Sequence, residues 1–191
     1  MAIVQNIVKK YDSASVTKRV ELILDNYAIF GSIIDGYESD LIIDIIDERS
    51  YARKLQLGDV GVRVQTSNIS DITFNLAAEH DEVARAVKGY DYFTALKGIK
   101  NASAYIRTME VLKQMRIDYE TVSTRIKFLN PQEYQIYSRY LSKNKTADIL
   151  AEELGISHDA YKARIYRCRC IVKQLSVEAI DSRNSRDRIA A

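Results

Sequence analysis

Residues 130–175 read NPQEYQIYSRYLSKNKTADILAEELGISHDAYKARIYRCRCIVKQL, and the order of signals in them predicts three helices. Pro131 suits the first turn of a helix, where its missing N–H would be unpaired anyway. Asn130 stands as its cap and Glu133 near its third position. That helix carries Tyr134, Ile136, Tyr137 and Leu141. A short polar link follows over 142–145. A second helix spans 146–154, with Leu150, Ala151 and Leu154 inward. Gly155 then makes a tight turn and Ser157 caps a third helix. On the third helix Tyr161, Ile165, Cys168 and Val172 recur at i, i+4, i+7 and i+11, a single apolar stripe. Its other side presents His158, Asp159, Lys162, Tyr166 and Arg169, while Arg164 and Arg167 flank the two faces. Helix, glycine turn and capped basic helix is the order of a helix-turn-helix.

Such an order has a chemical use. A helix lying in the major groove needs short or polar side chains at its N-terminal end for base edges. It needs cations on its shoulders for phosphates. Ser157, His158, Asp159 and Tyr166 meet the first need. Lys162, Arg164, Arg167 and Arg169 meet the second. Lys145 and Thr146 open the second helix, which crosses the DNA backbone in this motif; phosphate contact and plain solvation are equal readings for both. His158 divides equally between DNA contact and a solvated helix start. Asp159 is placed to accept from a cytosine amino group, but favouring the helix N-terminus electrostatically is the stronger reading. The bland alternative for the whole stretch is a helical hairpin with a solvated basic face. Agreement of cap, turn, core and charge in one order weighs against it.

Composition sets the frame around this stretch. Among 191 residues, 47% are apolar and 28% charged, the balance of a globular chain. One proline and seven glycines favour long helices over a turn-rich β sandwich. The net charge of +2 is unevenly spread. Residues 1–55 hold 7 basic and 9 acidic side chains, 56–155 hold 13 of each, and 156–191 hold 8 basic and 4 acidic. Positive charge therefore gathers at the end that carries the basic helix, as a nucleic-acid contact requires. Cys168 and Cys170 are two apart on a helix and point in different directions, so they neither pair nor form a metal site. Reduced thiols fit an intracellular protein. No apolar run approaches the roughly 20 residues of a membrane span. The opening MAIVQNIVKKYDS lacks the ordered parts of a signal peptide. A cytoplasmic location without membrane contact is the expectation.

Catalysis finds no footing. The chain has no GxxxxGK[ST], no HExxH and no nucleophile elbow. His80 beside Glu79, Asp81 and Glu82 reads as an acidic helix start rather than a metal site. No enzyme activity, cofactor or metal is expected.

Upstream, apolar or aromatic residues at Val16, Val20, Ile23, Tyr27, Phe30, Ile34, Tyr37 and Leu41 alternate in steps of four and three, a heptad stripe. Ser15 is placed to cap it. Leu24, Ile29, Ile33, Ile42 and Ile45 widen the stripe, so the helix packs on more than one neighbour. Residues 56–75, QLGDVGVRVQTSNISDITFN, read as an extended or looped connection. Helix resumes from 76 to about 128, with Gly89 and Gly98 as points of breakage or bending. Its natural partner is the first long helix, in an antiparallel hairpin or an oligomeric coil. Intramolecular packing and a homo-oligomer are equal readings of the heptad stripe. Arg63 in the loop reads as an exposed cation ahead of a DNA or partner contact. The segment after 177 is polar (DSRNSRDR) and reads as a fraying tail or short helix, with Arg183, Arg186 and Arg188 solvated.

The stretch resembles region 4 of bacterial sigma factors and the related phage regulators. The resemblance rests on the LNPQE opening, RYLS, ILAEELGIS and the run SHDAYKARIYRCR. That run is close to the pattern S-x-x-x-V-K-x-R-hydrophobic-x-R-A-R, whose basic positions are filled by Lys162, Arg164, Arg167 and Arg169. Tyr161 departs from it by standing where a small β-branched residue is usual, which alters packing between the last two helices. Cys168 replaces the usual alanine. The order of heptad helix, GDVGVRVQTSNISD loop, second long helix and region-4-like end is similar to phage late-transcription regulators of the ArpU/RinA type. These resemblances cover most of the chain. They imply a regulator of phage, prophage or mobile-element genes, with RNA polymerase as a possible second partner. Nothing resembles the promoter-melting part of a complete sigma factor, which needs exposed aromatics to capture flipped bases.

The expectation is an all-α protein. Residues 1–128 form a helical hairpin or coiled coil with an irregular loop at about 56–75. Residues 129–177 form a three-helix DNA-binding unit, and 178–191 a polar tail. Its function is sequence-specific binding of double-stranded promoter or operator DNA. A phage small terminase subunit, which joins a helix-turn-helix to oligomerising helices for packaging, is the alternative. A third reading docks the basic helix on another protein.

Overall fold

With so few residues that interrupt helices, the chain is all-α, and no strand occurs among the described residues. The computed structural model describes residues 2–57, 72–100 and 102–190, with side chains over 7–53, 76–100 and 102–186. The helices are α1 (Ala2–Asp12), α2 (Val16–Asp25), α3 (Tyr27–Leu57), α4 (Ile72–Lys88), α5 (Tyr92–Ala95), α6 (Ser103–Ile126), α7 (Pro131–Leu141), α8 (Ala147–Glu153) and α9 (His158–Ala190). They make two packing units. One joins Met1–Ile33 to Gln114–Ala191, and the other is Ile34–Lys113. This division cuts across the expected boundary at 128/129, because the beginning of the chain packs with its end.

In the first unit α9 is the spine, and α2, α7 and α8 all pack on it. The heptad stripe over 16–41 exists but is not one helix. At Asn26 the side-chain Nδ2 donates to the carbonyl of Leu22 at 2.9 Å, and its backbone N–H reaches the carbonyls of Leu22 and Ile23. That local bonding closes α2 before α3 begins. Ser15 occupies the N-cap of α2, but its side chain makes no capping bond. Val20, Ile23, Phe30, Ile34 and Leu41 of the stripe are buried within the single chain. Phe30 stacks on Tyr119 with ring centres 5.6 Å apart, and Tyr27 meets Tyr119 at 5.3 Å.

The end of the chain differs most from expectation. Residues 178–190 continue α9 rather than form a tail. The apolar stripe runs on through Ser176 and Ile180, both fully buried. Arg183 is only partly solvated: its guanidinium is paired with the carboxylate of Asp118, which has no exposed surface. Asp118 also accepts from the Tyr11 hydroxyl and, at 2.7 Å, from Gln114 Nε2. Arg183 Nη1 donates to Thr121 Oγ1 at 3.2 Å. A buried carboxylate survives only when its lone pairs are taken up this way. The cluster ties α1, α6 and α9 together. Burial and the adjacent Asp118 charge push the Tyr11 hydroxyl far above its ordinary value.

In the second unit the long helix expected from 76 to about 128 is divided near its glycines. α4 stops at Lys88, Tyr90 takes φ 56, and Gly98 takes φ 84. Between them Asp91 caps the short α5 by accepting from the Thr94 N–H at 3.1 Å. α4 packs on α5. Arg49 fastens this corner, donating to the carbonyls of Thr94 at 2.6 Å and Ala95 at 3.0 Å. Glu79 pairs with Arg49 and Arg53, and the acidic group around His80 lies in the middle of α4 rather than at the expected helix start, because α4 begins at Ile72. Tyr105 hydrogen-bonds Glu48, which with partial burial raises its hydroxyl to about 12. Of the loop expected at about 56–75, residues 56–57 end α3 and 72–75 begin α4. Residues 58–71, including Arg63 and the alternating valines, lie outside the described residues.

Candidate nucleic-acid interface

Three local devices set the first turns of α9. Asn130 Oδ1 accepts from the Glu133 N–H at 2.9 Å, capping α7 with Pro131 in its first turn. Thr146 holds the N-cap of α8, without a side-chain bond. Gly155 takes φ +62, and two bonds close the end of α8: Ile156 N–H to Ala151 O at 3.1 Å and Gly155 N–H to Glu152 O at 3.0 Å. That is the left-handed C-cap, which a glycine adopts without a Cβ clash. Ser157 Oγ then accepts from the Ala160 N–H at 3.2 Å, so α9 starts where its sequence places the cap.

α9 turns Tyr161, Ile165, Cys168 and Val172 inward, as their spacing requires, and all four are buried. Tyr161 fills the stripe without a hydrogen-bond partner for its hydroxyl among the described residues. Burial raises the Cys168 thiol above its ordinary value, while Cys170 is exposed.

At about 100° per residue, the line opposite the buried stripe runs through Ala163 and Cys170. Asp159 and Tyr166 lie to one side of it and Arg167 to the other. Tyr166 is 71% exposed. Lys162 and Arg164 are exposed on the two flanks. Lys162, Arg164 and Arg167 make no ion pair with a described residue. Their charge is therefore available to a partner from outside the chain.

Lys145, His158 and Arg169 face acidic side chains of the fold. Arg169 Nη2 lies 2.6 Å from Asp25 Oδ1 at the end of α2. Burial works against its charge, but the Asp25 bond and charge, together with the neighbouring Tyr137 and Tyr140, raise the guanidinium above its ordinary value. The backbone carbonyl of the same Asp25 accepts from Lys143 Nζ at 2.7 Å. One turn along, Lys173 Nζ is 2.5 Å from Glu21 Oε1. Glu21 and Asp25 on α2 thus meet Lys173 and Arg169 on α9 as an antiparallel two-rung ladder. His158 Nδ1 faces Asp148 Oδ1 at 3.4 Å. Lys145 pairs with Glu153, whose carboxyl is lowered by that bond, and Arg139 reaches the same carboxylate at 3.2 Å.

No family model, curated protein or solved structure matches this chain.

Of the predicted residues, Lys162, Arg164, Tyr166, Arg167 and Asp159 are exposed, Lys145 and Arg169 are ion-paired, His158 faces Asp148, Ser157 caps α9, and Thr146 stands at the N-cap of α8 without a side-chain bond. Sequence reasoning missed the ladder. Its signal was present: two acids four apart in one helix and two cations four apart in another, a complementary spacing. It also passed over Ala160, Ala163 and Cys170, the short side chains that the 3.6-residue period sets on the outward side of α9. Among the described residues no group of three or more His, Cys, Asp or Glu side chains is arranged to hold a metal. No described helix is long and apolar enough to cross a membrane.

Proposed function

We propose that this protein is a sequence-specific, double-stranded-DNA-binding transcription regulator, with 129–177 acting as a helix-turn-helix and the start of α9 entering the major groove. The observation that carries the reading is the trio Lys162, Arg164 and Arg167. These cations stand exposed on one helix, free of ion pairs with described residues, around an outward line of short side chains. A chain that spends Arg169, Lys173, Lys145 and Arg183 on internal carboxylates leaves these three uncompensated. Uncompensated cations on a rigid, capped helix suit a polyanion, where each phosphate neutralised releases a condensed counterion. The resemblance of 129–169 to sigma region 4 adds RNA polymerase as a second partner, and the resemblance of the whole order to ArpU/RinA-type regulators adds the regulatory role and the phage or mobile-element setting.

The test is a titration of the whole protein against the duplexes flanking its own gene, with scrambled competitor, between about 50 and 200 mM salt. Competitor-resistant binding that weakens with salt and is lost in a Lys162→Ala/Arg167→Ala variant supports the reading. Absence of duplex binding, or binding indifferent to the two substitutions, refutes it.

A further inference from the structure

We infer that Arg167 is the principal base-reading residue of α9 and that the base it reads is guanine; the inference rests on the DNA-binding reading above. By residue type alone the arginines of α9 serve phosphates and the helix-start residues serve bases. The packing reverses part of that assignment. His158 is turned to Asp148, and Arg169 is held by Asp25. Ser157 Oγ accepts from the Ala160 N–H, which holds this short side chain against the first turn of α9. Asp159 brings a negative charge toward a surface of phosphates.

Helix geometry then ranks the free residues. Taking about 100° per residue, Ala163 and Cys170 lie within about 10° of the direction opposite the buried stripe. Lys162 and Arg164 lie about 90° and 110° away, on opposite sides. Side chains so placed reach the two walls of a groove, where the phosphates are, and not its floor. Arg167 lies about 50° from the outward line, four residues after Ala163 and three before Cys170. Two short side chains let the backbone approach the groove floor. The long planar fork between them spans the remaining gap. Five N–H donors in a rigid plane match the O6 and N7 acceptors of guanine in a bidentate pair. Tyr166, at the mirror position, offers one hydroxyl and an apolar ring, which discriminates less.

The experiment selects tight sites from a random duplex pool with the unsubstituted protein. It then measures affinities of unsubstituted, Arg167→Ala and Lys162→Ala proteins for the selected duplex and for the same duplex with single guanines replaced by 7-deazaguanine. The expected result is one guanine whose replacement weakens the unsubstituted protein by about 5- to 150-fold. Arg167→Ala loses a similar factor on the natural duplex and is then indifferent to the replacement. Lys162→Ala weakens all duplexes alike and lowers the salt slope by about one unit. The inference is overturned if Arg167→Ala behaves as Lys162→Ala does, or if it still responds to every 7-deazaguanine that affects the unsubstituted protein. If the unsubstituted protein binds no duplex, the DNA-binding reading itself falls, and the inference with it. Circular dichroism melting of each variant, unchanged because both residues are exposed, excludes misfolding as the cause.

Discussion

Arg169 and Asp25 stand 144 residues apart in sequence and 2.6 Å apart in the fold, joining the last turn of α2 to α9. An arginine in the middle of a basic helix is thereby a structural residue. Arg169→Gln is expected to lower stability by about 0.5–1 kcal/mol, the range for a partly exposed pair. Asp25→Asn should cost a similar amount, and the double variant less than the sum. Urea unfolding of the three variants measures this. Arg169→Gln should also leave the salt slope of duplex binding nearly unchanged, whereas Arg164→Gln lowers it by about one unit. Additive losses from the two single changes would show that the side chains do not interact.

The Asp118–Arg183 pair is deeper and should weigh more. Removing one partner leaves a charge without compensation in the core. Arg183→Ala is expected to cost about 3 kcal/mol, at the low end for buried pairs because Arg183 keeps some solvent contact. Ending the chain after Glu178 should cost at least as much. Denaturant unfolding followed by circular dichroism reports it. A loss below about 1 kcal/mol would mean that the cluster is fully wetted.

Tyr161 carries a buried hydroxyl with no partner among the described residues. Taking a polar group from water without a new bond is unfavourable, so Tyr161→Phe keeps the ring and removes the cost. The expected outcome is an unchanged or higher Tm with duplex binding retained. A fall of several degrees would reveal a hydrogen bond to that hydroxyl.

The second rung of the ladder gives a pH dependence. The Lys173 ammonium hydrogen-bonds Glu21 and holds its carboxyl below the ordinary value of 4.5. A carboxyl lowered by folding stabilises fully above its unfolded value, and that contribution is lost as pH falls through the lowered folded value. The stability gap between the unsubstituted protein and Lys173→Met should therefore be present at neutral pH and close in acid, below about pH 4.5. Thermal melts of both proteins across that range measure it. A gap that persists in strong acid would assign the effect to packing of the lysine stem.

The C-terminal three helices were legible because their signals are local. Asn130 before Pro131, Gly155 at a helix end and Ser157 before a periodic run each specify their own neighbourhood within a few residues. The apolar stripe of α9 was legible for the same reason, from Tyr161 to Val172. What the sequence does not disclose is which helix meets which. The heptad stripe over 16–41 suits a coil as well as a core, and only packing makes it a core. The break at Asn26 depends on a side chain bonding its own preceding turn, which asparagine does at some helix positions and not at others. The segment after 177 looks like a tail because it is polar. Its inward residues are one isoleucine, Ile180, and an arginine whose acid lies 65 residues earlier. The basic face was the most ambiguous, since periodicity sets the direction of Arg169 but not the presence of Asp25 in that direction.

The packing of α2 against α9 also orders events in time. A ribosome releases Val20, Ile23 and Leu24 long before it makes Cys168, Val172 and Ile180, the residues of the helix that covers them. Residues Ile34–Lys113 have their partners sooner and can close on themselves meanwhile. Until α9 emerges, α2 lacks the helix that packs on it, and contacts this distant in sequence form slowly. A nascent chain of this protein therefore completes its basic helix and its scaffold in one late step, and a message cut short yields neither.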